Sequence, residues 1–200
     1  NPVDLTRFHC GMKNRKLNTV PIIGCIGTIE PRKCQHIVIE TVEELLRRGR
    51  IVRASIVGNY VNDEYRHYLE AIIKRKNLCD VVELAPTLDY ECVPNWMDGL
   101  DIYLCPSKAE VMPFSILEAL ASGLPVIGHN VAGIHEEIRD GFNGYLVNTD
   151  LASDYANAID SVLCNYENFS RNSRELAVNV FSTVWWAKKM ADVCAYRSVK

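Results

Sequence analysis

Val20-Pro-Ile-Ile-Gly-Cys-Ile26, running into Gly27-Thr-Ile-Glu-Pro-Arg-Lys33, is the stretch whose reading decides the fold. Its first part is short and continuously apolar, the pattern of a strand buried on both faces. A polar turn follows, then a helix predicted from about Cys34 to Arg48. There Ile37, Val38, Val42, Leu45 and Leu46 share one stripe, and Gly49 is a natural stop. The same alternation repeats outward. Strands are predicted at Val52–Val57, Val81–Leu84, Asp101–Cys105, Pro125–Gly128 and Gly144–Val147. Between them fall helices near Asp63–Lys76, near Tyr90–Met97, and from Pro113, whose missing N–H costs nothing in a first turn, to the glycine at 123. The tail reads as three helices, about Ser153–Tyr166, Asn172–Val180 and Val184–Tyr196.

Six strands alternating with helices specify an α/β domain, a doubly wound, mostly parallel six-stranded sheet with helices on both faces and a helical C-terminal tail. Such sheets bind ligands beyond the carboxyl ends of their strands, where the strand order reverses. That rule selects two loops, Thr28–Lys33 after the first strand and Pro106–Met112 after the fourth.

Composition narrows the classes of function. The 200 residues are 48% hydrophobic and 24% charged, ordinary for a globular chain with a real core. Lys plus Arg (22) against Asp plus Glu (25) gives a net charge of −3, which argues against nucleic acid as a partner. No apolar run approaches the roughly 18 residues of a membrane span, and Asn1-Pro-Val-Asp-Leu is unlike a signal peptide. Eight cysteines contain no C-x-x-C pair, and the five histidines add no zinc spacing. The thiols are read as structural, in a reducing, cytoplasmic compartment, with no metal site.

The two selected loops carry the candidate chemistry. In the first, Gly27 lets the backbone approach a ligand, while Arg32 and Lys33 place positive charge at a helix start, which favours an anion such as phosphate. A solvated basic turn accounts for the same residues. In the second, Glu110-Val-Met-Pro-Phe-Ser-Ile-Leu-Glu118 separates two carboxylates by seven residues. The amides of Phe114, Ser115 and Ile116 fall among the orphan donors of that helix start, a second anion site. Glu118, a turn further in, suits hydrogen bonds from a diol such as ribose, although two ordinary surface glutamates would give the same pattern.

A longer stretch carries a resemblance. Glu118-Ala-Leu-Ala-Ser-Gly-Leu-Pro-Val-Ile, Ala132-Gly-Ile-His-Glu136 and Ile138-Arg-Asp-Gly-Phe-Asn-Gly-Tyr-Leu-Val147 follow Glu110 in order. With Gly27–Lys33, Asp101–Ser107 and Phe181-Ser-Thr-Val-Trp, they resemble the C-terminal, donor-binding domain of the large "group 1" family of retaining, nucleotide-sugar-dependent glycosyltransferases with the GT-B fold. The resemblance covers nearly the whole chain and implies a Rossmann-like half of that fold. It implies that Glu118 binds the donor ribose, that Glu110 lies beside the transferred sugar, and that Lys33 neutralises the diphosphate, with Glu136 matching a family glutamate of less sharply defined role. Glu110 and Lys33 are thus the expected catalytic residues. Gly27, Thr28, Arg32, Lys33, Phe114, Ser115, Ile116 and Glu118 are the expected donor-binding ones. Two positions depart from the pattern. Thr28 stands where an arginine usually follows the first glycine, so the diphosphate loses a cation unless Arg32 swings in. Val111 stands where glycine commonly follows the first glutamate.

The resemblance also implies an organisation. Residues 1–19 correspond to an interdomain linker or hinge, with Arg7, Lys13, Arg15 and Lys16 as its basic residues. Residues 20–180 correspond to the nucleotide-sugar-binding domain, and 181–200 to a helix that packs toward an N-terminal acceptor domain. The implied partners are a nucleoside-diphosphate sugar and a glycan or lipid-linked acceptor reached through that other domain, with peripheral association at the cytoplasmic face of a membrane. No cofactor or metal is implied. Two other functions fit the same fold: a nucleotide-sugar epimerase, for which only His129 and His135 lie in suitable loops, and a non-catalytic nucleotide-binding module, which the threonine at 28 favours.

Overall fold

The computed structural model describes residues 1–9, 15–61 and 63–197. Six strands, β1 (Ile22–Ile26), β2 (Arg53–Val57), β3 (Val82–Ala85), β4 (Ile102–Cys105), β5 (Val126–His129) and β6 (Gly144–Val147), form one sheet. Its order is β3-β2-β1-β4-β5-β6, and every neighbouring pair is parallel. Chain order reverses between β1 and β4, so the loops after these two strands leave the sheet side by side.

The strands are apolar on both faces because each face has its own core. On one side Ile23, Ile37, Val42, Ile56, Leu69 and Ile159 are buried, drawn from the sheet and from α1 (Gln35–Arg47), α2 (Asp63–Arg75) and α6 (Ala152–Cys164). On the other, Met97, Tyr103, Leu117, Leu120 and Ile134 pack with α3 (Val93–Asp98), α4 (Phe114–Ala121), α5 (Ile134–Glu137) and α7 (Tyr166–Leu176). Each such aliphatic side chain contributes roughly 1.5–3 kcal/mol on burial. The last helix, α8 (Thr183–Arg197), follows a π turn at Ala177–Phe181.

The helix expected at Asn172–Val180 begins earlier, at Tyr166, because Asn165 breaks α6 from α7 and the π turn takes over at Ala177. The helix near Tyr90–Met97 opens as a 3-10 turn (Tyr90–Cys92). The four-residue α5 was not expected, since one turn is too short to show a period.

The segment expected as a linker or hinge makes specific contacts with the domain. Its residues 10–14 lie outside the described part. Arg15, one of the basic residues of that segment, is built into the domain. Its guanidinium donates to the carbonyls of Met97 at 2.8 Å, Asp98 at 2.6 Å and Ser122 at 3.0 Å, and to that of Leu100. These acceptors are the open ends of α3 and α4, which need donors. Further upstream Val3 and Phe8 are buried, and Val3 N–H donates to Phe181 at 2.7 Å.

Candidate functional site

The site lies at the carboxyl ends of β1 and β4. Gly27 ends β1 with φ at +154°, and its N–H donates to Val57 at 3.0 Å. A Cβ on Gly58 would sit 1.8 Å from the Gly27 carbonyl oxygen, so two glycines let the ends of β1 and β2 pass this closely. A 3-10 turn, Pro31–Lys33, then carries the chain to α1 through Cys34 at φ +54°. The Thr28 carbonyl accepts from Gln35 Nε2 at 2.8 Å, which fixes the loop from behind.

The second loop closes against the first. Lys108 N–H donates to the Arg32 carbonyl at 3.0 Å, and Arg32 donates back to Ala109 O at 2.5 Å. Between them Lys33 Nζ meets Glu110 Oε1 at 2.5 Å. The Glu110 side chain is only 9% exposed, so its charge requires this partner. Arg32, the second cation of the first loop, lies at its edge. It pairs with Glu30 at 2.6 Å and stands 4.0 Å from Glu110.

Helix α4 begins beside these loops, with Pro113 extended at its N-cap and no side-chain cap. Of the three amides expected to face an anion, that of Ile116 is already spent on the Pro113 carbonyl at 3.0 Å, and its side chain is fully buried. Phe114 and Ser115 remain as the helix-start donors, with the Phe114 ring exposed.

Glu118 sits on the buried face of α4. Tyr90 donates its hydroxyl to Glu118 Oε1 at 3.2 Å. Burial pushes the Glu118 carboxyl up to about 7, while the Tyr90 hydrogen bond and the Arg7 charge pull the other way. Sequence reasoning missed Tyr90 as a site residue, because 28 residues separate it from its partner.

A third carboxylate was also missed. Glu137 ends α5 with no exposed surface, and among the described residues neither oxygen has a hydrogen-bond partner. Burial pushes it up to about 9, and the like charges of Glu110 and Glu136 add to that. Glu136, matched by resemblance, is exposed. The turn before α5 presses on the site: a Cβ on Gly133, at φ +87°, would meet the Val111 carbonyl oxygen at 2.3 Å.

His129 bonds Tyr155 at 3.1 Å, and His135 is exposed. Cys25 and Cys105 are buried thiols whose ionisation is strongly disfavoured by burial, Cys105 being pushed up to about 12. No group of three or more metal-ligating side chains occurs among the described residues. No helix among them is long and apolar enough to cross a membrane. A groove of about 450 Å³ between β3 and α3, lined by Arg53, Val82 and Trp96, opens at the amino ends of the strands, away from these loops.

Known proteins share the family and the fold. The family model "Glycosyl transferases group 1" matches residues 12–176. D-inositol 3-phosphate glycosyltransferase 2 of Catenulispora acidiphila is 30% identical over 177 residues, covering 82% of this chain and 41% of that protein. The chain therefore spans about two-fifths of that relative's length. Among solved structures, Anabaena Alr3699/HepE in complex with UDP-glucose superposes with a TM-score of 0.84 at 21% identity, covering 98% of this chain and 56% of the other. The C-terminal domain of the group 1 family protein LpcC from Francisella tularensis superposes with a TM-score of 0.78 at 24% identity, covering 90% of this chain and 99% of that domain. Parallel sheet, paired loops and family match converge: the chain belongs to the group 1 glycosyl transferases.

Proposed function

We propose that this chain is the donor-binding part of a glycosyltransferase that moves a sugar from a nucleoside diphosphate to an acceptor with retention of anomeric configuration. The observation that carries the reading is the Lys33–Glu110 pair across the β1–β4 switch point, beside the uncapped start of α4. Solved relatives of the same fold hold UDP or UDP-glucose, which supports a nucleotide-sugar donor.

In this reading Glu110 holds the Lys33 ammonium in place before a donor arrives, and Lys33 then shares its charge with the diphosphate. Negative charge builds on the diphosphate as the bond to the anomeric carbon breaks. Lys33 and the amides of Phe114 and Ser115 stabilise that charge without reorganising, the condition under which such donors are most effective. Retention follows if the acceptor hydroxyl attacks from the face the diphosphate leaves, passing its proton to a departing phosphate oxygen. Glu118 accepts from the ribose hydroxyls. The acceptor, a glycan or a lipid-linked sugar, is held by a domain outside these residues.

The test is product analysis with radiolabelled donor on a polypeptide that joins this chain to an acceptor domain. Labelled sugar on the acceptor with the donor's anomeric configuration supports the reading. Epimerised donor, or nucleotide binding with no turnover, replaces it with the epimerase or the non-catalytic module. The latter draws on Thr28 together with the commitment of Arg32 to Glu30. A thermal-shift panel of UDP, GDP, ADP and their sugars identifies the donor, because a ligand that binds only the native state raises its stability.

A further inference from the structure

Tyr90 connects two elements that lie far apart in the chain. Its hydroxyl donates to Glu118 Oε1 at 3.2 Å, while the Arg7 guanidinium lies over its ring at 3.9 Å from the centroid. Packing alone does not account for this placement, since Tyr90 is 55% exposed. Arg7 is itself held. It pairs with Glu91 at 2.8 Å, and the next residue, Phe8, is buried, with its carbonyl accepting from Arg174 of α7 at 2.8 Å. The N-terminal segment, the 3-10 turn and α4 thus meet at one tyrosine.

We propose that Tyr90 and Arg7 are positioning residues for the donor ribose, Tyr90 fixing one oxygen of Glu118 so that the other meets the ribose diol, and Arg7 fixing Tyr90. This rests on the assignment of Glu118 to the ribose made above. The Tyr90 hydroxyl engages Oε1, which leaves Glu118 Oε2 for a ligand. A diol needs an ionised acceptor held in a single orientation. A carboxylate partly removed from water loses both properties without a neighbouring donor.

The groups acting on Glu118 are Tyr90 and Arg7, and both favour its ionised form. Glu91 and Asp4 face these two in turn. Arg174, on the helix packed against α4, is committed to the carbonyls of Phe8 and Ala121. Nucleotide affinity therefore depends on pH near neutrality, and loss of the Tyr90 hydroxyl moves that dependence to higher pH.

The experiment is calorimetric titration of the 200-residue chain between pH 5.5 and 9, with UDP, GDP and ADP as probes. Inorganic pyrophosphate and the 2′,3′-dideoxy form of the tightest nucleotide are the controls. Tyr90→Phe is expected to weaken the nucleotide about threefold to tenfold at pH 6.5, the scale of one hydrogen bond to a charged group, and to shift the midpoint of the profile upward. At pH 9 the difference from wild type narrows. Pyrophosphate and the dideoxy nucleotide do not distinguish the two proteins. Arg7→Gln shifts the profile in the same direction, and Arg7→Lys, which keeps the charge but loses the flat stack, falls between. Unchanged thermal midpoints establish that the variants fold. A Tyr90→Phe profile that overlays wild type overturns the proposal, as does a loss of equal size at every pH and for pyrophosphate. Failure of wild type to bind any of the three nucleotides overturns the ribose assignment, and this proposal with it.

Discussion

Lys33 Nζ and Glu110 Oε1 stand 2.5 Å apart although 77 residues separate them in the chain. The contact exists because β1 and β4 are neighbours in the sheet, which brings their following loops together. The first loop supplies a cation and the second the anion that holds it.

Lys33→Ala should weaken nucleoside diphosphates far more than the free nucleoside, because the proposed partner of Lys33 is phosphate charge. About tenfold or more is expected for the diphosphate, from the loss of one charged hydrogen bond. Calorimetry with UDP and uridine, or the matching pair for another base, checks this. Equal weakening of both ligands would show a folding defect instead.

Glu118→Ala should weaken nucleotide binding by about 1–3 kcal/mol, the range for leaving polar ligand groups unmatched. Its position on the buried face of α4 beside Tyr90 motivates the substitution. Affinity equal to wild type would remove Glu118 from the site.

Glu137 makes the stability of the domain depend on pH. Its folded-state pKa of about 9 lies above the ordinary carboxylate value, so between roughly pH 4.5 and 9 the folded chain binds more protons than the unfolded one. Stability contributed by this group is therefore full below about pH 4.5 and is lost progressively as pH rises to about 9. Glu137→Leu should raise stability at pH 8 by about 1–3 kcal/mol, since it removes a buried polar group without partners. It should also flatten the pH dependence of the melting temperature. Melting curves at pH 5, 7 and 9 provide the check, and an unchanged slope would place Glu137 in water.

Sugar transfer by a longer polypeptide containing this chain should survive a chelator. The proposed charge partners of the diphosphate are Lys33 and the amides opening α4, and these take the place a divalent ion occupies elsewhere. Turnover lost in EDTA and restored by magnesium or manganese would contradict this.

The 200-residue chain alone should bind nucleotide with micromolar to millimolar affinity but transfer nothing beyond slow hydrolysis. The residues proposed to hold the donor, from Gly27 to Glu118, all lie within it. Holding an acceptor hydroxyl at the anomeric carbon supplies roughly 7–11 kcal/mol of the barrier, and in the proposed reading that positioning belongs to another domain. Efficient transfer by this chain alone would overturn the division of labour.

The alternation of strands and helices was legible in the sequence because it rests on local periodicity. A continuous apolar run such as Ile22–Ile26 has to be covered on both faces, and a stripe such as Ile37, Val42 and Leu45 has to face one of those covers. The spacing of Glu110 and Glu118, and the loops that carry the site, follow from the same pattern. Which groups actually meet was decided by tertiary structure. Nothing local tells Glu110 that Lys33 is its partner, or Glu118 that Tyr90 is. Nor could the sequence separate the adjacent Glu136 and Glu137, one exposed and the other without any exposed surface. A single helical turn has no period from which an inward face can be read. Arg15, polar in sequence and expected at a hinge, closes the ends of two helices, because only the folded chain places their carbonyls around one guanidinium.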